Sequence, residues 1–132
     1  MDHVTKKYHV ITDELVLFND EYYVTVLRVS LDSMGAASLS EIFNELYAFS
    51  HADVELEIDI SEEQQGTWYL QFLVPYMLTL SDTAIKRITR GSEALQSYLD
   101  ERSISLNVEL LRGSDIFAYM KRYNPGLAEV KK

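Results

Sequence analysis

The chain contains no cysteine. Disulfide staples, zinc–thiolate centres and thiol nucleophiles are therefore excluded. Proline and glycine are scarce, at two and five in 132 residues. No Pro/Gly-rich linker divides the chain, and Gly35, Gly66, Gly91, Gly113 and Gly126 each stand alone, so no glycine-rich loop can cradle a phosphate. Long apolar runs are missing as well. The longest, Trp68 to Leu80, is interrupted by Gln71 and Pro75 and is too short to span a bilayer. It reads as a buried strand followed by a turn. The first ten residues, "MDHVTKKYHV", lack the apolar core of a signal peptide. A reducing cytoplasm is the expected location, with no membrane partner and no cofactor.

The last absence is of one sign of charge. Residues 34–66 hold eight acids and no base, whereas residues 1–33 hold six acids and three bases and residues 67–132 hold seven acids and nine bases. Nearly all of the net charge of −9 thus sits in one quarter of the chain. Such asymmetry bears on partners rather than on fold. It argues against direct nucleic-acid binding, because phosphates are repelled.

What is present is a foldable composition. An apolar fraction of 47% and nine tyrosines argue against disorder. The length fits one domain over residues 1–132, with 1–5 and 126–132 expected to fray. Tyr8–Thr12 and Leu15–Phe18 are short apolar runs separated from "EYYVTVLRVS", Glu21 to Ser30, by the turn residues Asn19-Asp20. This predicts a strand, and a hairpin leading into a long strand. "SLSE" places Ser38 three residues ahead of Glu41, a capping box that predicts a helix over 39–50. Leu39, Ile42, Phe43, Leu46 and Phe49 then follow at helical spacing. A second helix is expected after Ser81 or Asp82, with Ile85, Ile88, Leu95 and Leu99 inward and Gly91 weakening its middle. Ile104, Leu106, Val108 and Leu110 alternate as a strand. A short helix, "DIFAYMKRY", opens at Ser114 or Asp115 and stops at Asn124-Pro125-Gly126.

From Glu21 the order is β-α-β-β-α-β, then a helix. This is an α+β domain, a mostly antiparallel sheet with helices packed on one face, in the order of a ferredoxin-like split βαβ unit. The N-terminal hairpin and the C-terminal helix are additions. The hairpin raises a conflict. The first core strand of such a sheet already has two neighbours, so a hairpin partner for it implies a different strand order.

The candidate site lies in "HADVELEIDISEE", His51 to Glu63. A strand over 52–60 turns Val54, Leu56, Ile58 and Ile60 to the core. Asp53, Glu55, Glu57 and Asp59 then line the other face, about 7 Å apart. Each neighbouring pair repels by about 0.5–1 kcal/mol near the dielectric of water, and lysines interspersed here would relieve it. Three readings compete. The ladder is a solvated edge that discourages aggregation, with Arg28 as a cross-strand counter-charge. Alternatively Asp53, Glu55, Glu57, Asp59, Glu62 and Glu63 meet a basic protein surface. Or the carboxylates hold calcium or magnesium, although a straight strand does not converge them on a point. The second reading makes the protein a small, non-enzymatic inhibitor or immunity-type protein that presents acids where phosphates would sit. From a different class comes a regulatory domain that binds a small ligand, with a second copy of the chain as partner and the ligand near Asp32 to Ala37.

His51 beside Asp53 invites a catalytic reading but lacks a placed nucleophile. An imidazole at a helix end has an ordinary structural use. Lys86, Arg87 and Arg90 form one basic patch and Lys121 with Arg122 another; either can meet the acidic ladder. Tyr22, Tyr23 and Tyr69 can leave aromatic surface on a helix-free face, although a plain core role is the more frequent outcome for each.

Overall fold

The computed structural model describes residues 6–31, 38–52, 56–64 and 66–130. The elements run β1 (Lys7–Thr12), β2 (Leu15–Phe18), β3 (Tyr22–Leu31), α1 (Leu39–Ser50), β4 (Glu57–Gln64), β5 (Thr67–Pro75), α2 (Ser81–Glu101), β6 (Leu106–Leu110), α3 (Ser114–Tyr123) and β7 (Ala128–Glu129). Seven strands form one sheet in the order β4-β5-β3-β2-β1-β7, with β6 also on β3. All pairings are antiparallel except β1 with β7.

The hairpin conflict resolves on β3. One side of this strand pairs with β5 from Tyr22 to Ser30. The other side is divided. Tyr22 to Val24 take β2, and Leu27 to Leu31 take β6. At about 3.3 Å per residue a ten-residue strand is long enough to serve both. The hairpin therefore does not displace the last strand, and the order β6-β3-β5-β4 is compatible with a ferredoxin-like core.

β-branched and aromatic residues at alternate positions give β3 and β5 two buried faces. Trp68, Leu70, Phe72 and Val74 of β5 point to one side, where Leu46 of α1 and Leu95 and Leu99 of α2 close over them. All seven are 0–1% exposed, and each such side chain contributes about 1.5–3 kcal/mol through burial. The helices are antiparallel neighbours tied at one end. Glu45 of α1 accepts from the Tyr98 hydroxyl at 3.0 Å and pairs with Arg102 at 3.0 Å. Gly91 does not weaken α2 for nothing. A Cβ there would lie 2.9 Å from Leu56 Cδ2 and 3.1 Å from Phe72 Cε2, so the missing side chain lets the helix lie close on β5.

Helix starts follow the sequence only in part. Ser38 caps α1 through the Glu41 amide at 3.2 Å. Neither Ser81 nor Asp82 caps α2; the cap position is Leu80, with no side-chain bond, and Gly113 precedes α3 likewise.

The opposite face of the sheet is not helix-free. Ile116, Tyr119 and Met120 of α3 bury Val24, Val26, Tyr69 and Leu73 against a second apolar cluster. Tyr69 takes the core role rather than leaving open aromatic surface, and is 6% exposed beneath α3. The tail beyond Gly126 does not simply fray. Leu127 is buried in the same cluster. The Ala128 and Val130 amides donate to the carbonyls of Lys6 and Tyr8, adding β7 to the sheet.

Candidate functional site

The acidic strand is β4, and it is the outermost strand of the sheet on its side. Its bounds differ from the expected 52–60. Pairing with β5 begins at Glu57, opposite Leu73, and continues to Gln64, opposite Thr67. Glu62 and Glu63, expected in a turn, therefore lie within the strand. The turn closes at Gly66, whose φ of +84° suits a residue without Cβ.

Register decides where each acid points. Ile58 opposes Phe72 and Ile60 opposes Leu70, so both face the α1/α2 layer. Ile58 is buried and Ile60 half-buried. Glu57, Asp59 and Ser61 oppose Leu73, Gln71 and Tyr69 on the α3 side. Glu57 and Asp59 are exposed there, two residues and about 7 Å apart. Glu62 opposes Trp68 and so projects to the other face. A register shift follows between Glu62 and Gln64, and Glu63 returns to the α3 side. Of the six acids singled out in the sequence, Asp53 and Glu55 lie outside the described residues, as does Val54 of the predicted inward row. The remaining four do not form one array. Two line the α3 face, one the opposite face, and one is engaged internally.

That one is Glu63. Its Oε1 accepts from Arg122 Nη1 at 2.9 Å and its Oε2 from the Tyr69 hydroxyl at 3.1 Å. Beside it the Tyr119 hydroxyl and Ser61 Oγ share a hydrogen bond of 3.1 Å. The Tyr69 and Tyr119 rings lie 4.8 Å apart, and Arg122 sits 5.9 Å from the Tyr69 ring. The second basic patch thus fastens α3 to the acidic strand. Burial pushes the Tyr69 and Tyr119 phenols above their ordinary range; Glu63 adds to the first and the Ser61 hydrogen bond opposes the second. The hydrogen bond to Glu63 raises Arg122 further. Sequence periodicity gives no sign of this clasp, because its members come from 61–63, 69 and 119–122.

Tyr8 is pushed up to about 12, first by burial and then by its hydrogen bond to Glu129. Tyr23 and Tyr98 are raised for the same leading reason. A phenol with a raised folded-state value holds its proton more tightly folded than unfolded. Its contribution is complete below pH 10 and is lost as pH rises towards 12. Stability should therefore fall steeply between about pH 10 and 12. Tyrosinate absorbance whose later part rises together with loss of circular dichroism checks this; ionisation of all nine tyrosines near pH 10 with the circular dichroism retained contradicts it.

Asp53, the partner weighed for His51, lies outside the described residues, and the described histidines make structural contacts. His51 is the C-cap of α1, exposed, with Nδ1 at 3.0 Å from both the Tyr47 carbonyl and Ser50 Oγ and its ring 4.3 Å from Tyr47. This is the structural use of an imidazole at a helix end. His9 lies 3.5 Å from Asp20 on the hairpin. Among the described residues no three His, Asp or Glu side chains are grouped to hold a metal. Arg28 sits opposite Tyr69 on β3, with β5 between it and β4, so it does not neutralise the ladder directly.

Two features went unread in the sequence. A cavity of about 380 Å³ is lined by Arg87, Arg90, Glu93 and Ser97 over an apolar floor of Leu56, Gly91 and Ala94. And Met77, Leu78 and Leu80, in the turn after β5, are largely in solvent. No helix among the described residues is long and apolar enough to cross a membrane. No family model matches the chain, and neither a curated protein nor a solved structure is found to resemble it.

Proposed function

We propose that the protein is a non-enzymatic binding module, built on a ferredoxin-like core, that offers the outer strand β4 to a basic surface on a protein target. One observation carries this reading. Glu57, Asp59 and Glu62 are exposed on the last strand of the sheet, and among the described residues none of them is in an ion pair. A rigid strand with unneutralised carboxylates attracts lysines and arginines over distance and fixes where they land. An immunity protein, or an inhibitor that covers the phosphate-binding surface of a nuclease, is the concrete form. A merely protective edge is the competing account. Affinity capture of partners from a host lysate at low and high salt separates the two. Salt-sensitive capture of a basic protein supports binding; an empty bait supports protection.

The ligand position expected near Asp32 to Ala37 lies outside the described residues; the cavity beside Gly91 favours a second reading, a regulatory domain for a small organic anion. Arg87 and Arg90 supply the charge, and Leu56 and Ala94 the apolar contact. On this reading titration with small carboxylates or phosphates raises the melting temperature by mass action, and Arg87→Ser with Arg90→Ser abolishes the rise. No shift with any such anion removes this reading and leaves the first.

A further inference from the structure

Met77, Leu78 and Leu80 are 82%, 84% and 79% exposed. The segment that carries them is held in place. The Tyr76 amide donates to the Glu21 carbonyl at 2.9 Å, the Thr79 amide to the Tyr76 carbonyl at 3.2 Å, and the Ala84 amide to the Leu80 carbonyl at 2.9 Å. The Thr79 side chain turns inward and accepts from Arg87 at 3.3 Å. The Tyr76 ring stands edge-on to Tyr23 at 5.6 Å. Local bonding thus fixes three large apolar side chains outward, against the hydrophobic effect. Tyr76 in the same segment, Ile11 on β1 and Ile85 near the start of α2 are each 37% exposed. Tyr76 and Ile11 line one cavity over Leu17 and Tyr23.

We propose that this surface, the Tyr76–Leu80 segment with the first turns of α2, is the interface of a two-fold dimer of this chain. Exposed apolar surface is the first argument. Met77, Leu78 and Leu80 are chain neighbours, each about four-fifths exposed, and so much large apolar side chain in one place marks an interface more often than a free monomer surface. Charge is the second. Two copies of a chain with net charge −9 repel over most of their surface, but the rim of this patch carries one exposed acid, Asp82, against one exposed base, Lys86, and so is locally neutral. The same net charge disfavours an anionic membrane as the occupant.

The third argument is self-complementarity. Asp82 and Lys86 are exposed one turn apart on α2, on either side of Ile85. An isologous contact brings the same patch to both sides. Antiparallel approach of two α2 N-terminal halves sets Ile85 near the axis and pairs Asp82 of each copy with Lys86 of the other, twice. The interface then has an apolar centre and a charged rim, as interfaces usually do.

Sedimentation velocity on the full chain over a concentration series tests this. The wild type should run as a dimer. Leu78→Glu with Leu80→Glu should be monomeric with unchanged circular dichroism, since neither side chain packs within the monomer. Asp82→Lys alone and Lys86→Asp alone should each weaken the dimer at least about tenfold, because each creates two like-charge contacts. Mixing the two single variants should restore it, because both cross-pairs become attractive again. A wild type that stays monomeric throughout overturns the proposal. So does a dimer that survives the glutamate substitutions, a mixture that fails to recover, or a monomer that co-sediments with lipid vesicles through this patch.

Discussion

Phe72→Ala is expected to lower the unfolding free energy by about 3–5 kcal/mol, a large share of what a domain of this size has in reserve. Phe72 is fully buried at the centre of β5. On one side it opposes Ile58 of the outer strand, on the other Thr25 of β3, and α2 crosses above it at Gly91. Truncation removes transfer energy and leaves a cavity that the surrounding strands, hydrogen-bonded on both sides, cannot close. Gly91→Leu attacks the same contact from the helix. The first atom of a side chain already reaches Phe72 at 3.1 Å, so the rest must force the helix outward, at about 1–3 kcal/mol. The two changes should not add. A leucine at 91 enters the space vacated at 72, so the double variant should lose less than the two single losses combined. Denaturant midpoints of the four proteins decide it. Additive losses would mean that the helix does not rest on Phe72.

This contact shows what the sequence does and does not reveal. The apolar stripe Ile88, Leu95 and Leu99 points α2 at the sheet, and "WYLQFLV" is legible as a strand buried on both faces because no polar alternation interrupts it except Gln71. The helix over 39–50 is legible because a capping box and a 3.6 period agree. Gly91 reads as a weak point from propensity alone; its use depends on Phe72, nineteen residues away in sequence, and only packing exposes it. The bounds of β4 are blurred for a related reason. Alternation from Ala52 to Ile60 fits a strand wherever pairing starts, and the start is set by the partner, at Leu73 of β5. Its end was hidden because "SEEQQG" resembles turn chemistry while the hairpin in fact closes at Gly66. The cover of α3 over Tyr69 was invisible because a ten-residue helix near the end of the chain carries no mark of which face it will take. The division of β3 between β2 and β6 follows from strand length, which was readable, and from register, which was not.

Changing Glu57, Asp59 and Glu62 to Gln, Asn and Gln is expected to spare the fold and weaken a cationic partner at least tenfold, about 1.4 kcal/mol. Glu63 is left alone, since its carboxylate holds Arg122 and Tyr69 and its loss would loosen α3 for reasons unrelated to binding. The three chosen side chains are exposed, and none makes an ion pair among the described residues. Their neutralisation relieves about 0.6 kcal/mol of repulsion between Glu57 and Asp59 at roughly 7 Å in water, so melting should be unchanged or slightly higher. The effect on binding should depend on salt. At about 0.01 M ionic strength the screening length is about 30 Å and all three charges act on an approaching partner; at about 0.1 M it is about 10 Å and only contacts remain. The loss should therefore be larger at low salt and appear mostly in the association rate, as exposed charges act there. Capture from lysate with wild type and variant side by side, followed by association rates for the protein recovered, measures both. A protective edge predicts no difference between the two baits. Equal capture by a variant with intact circular dichroism would remove β4 as the binding strand, whatever the outcome for the apolar surface at Met77, Leu78 and Leu80, which carries none of these charges.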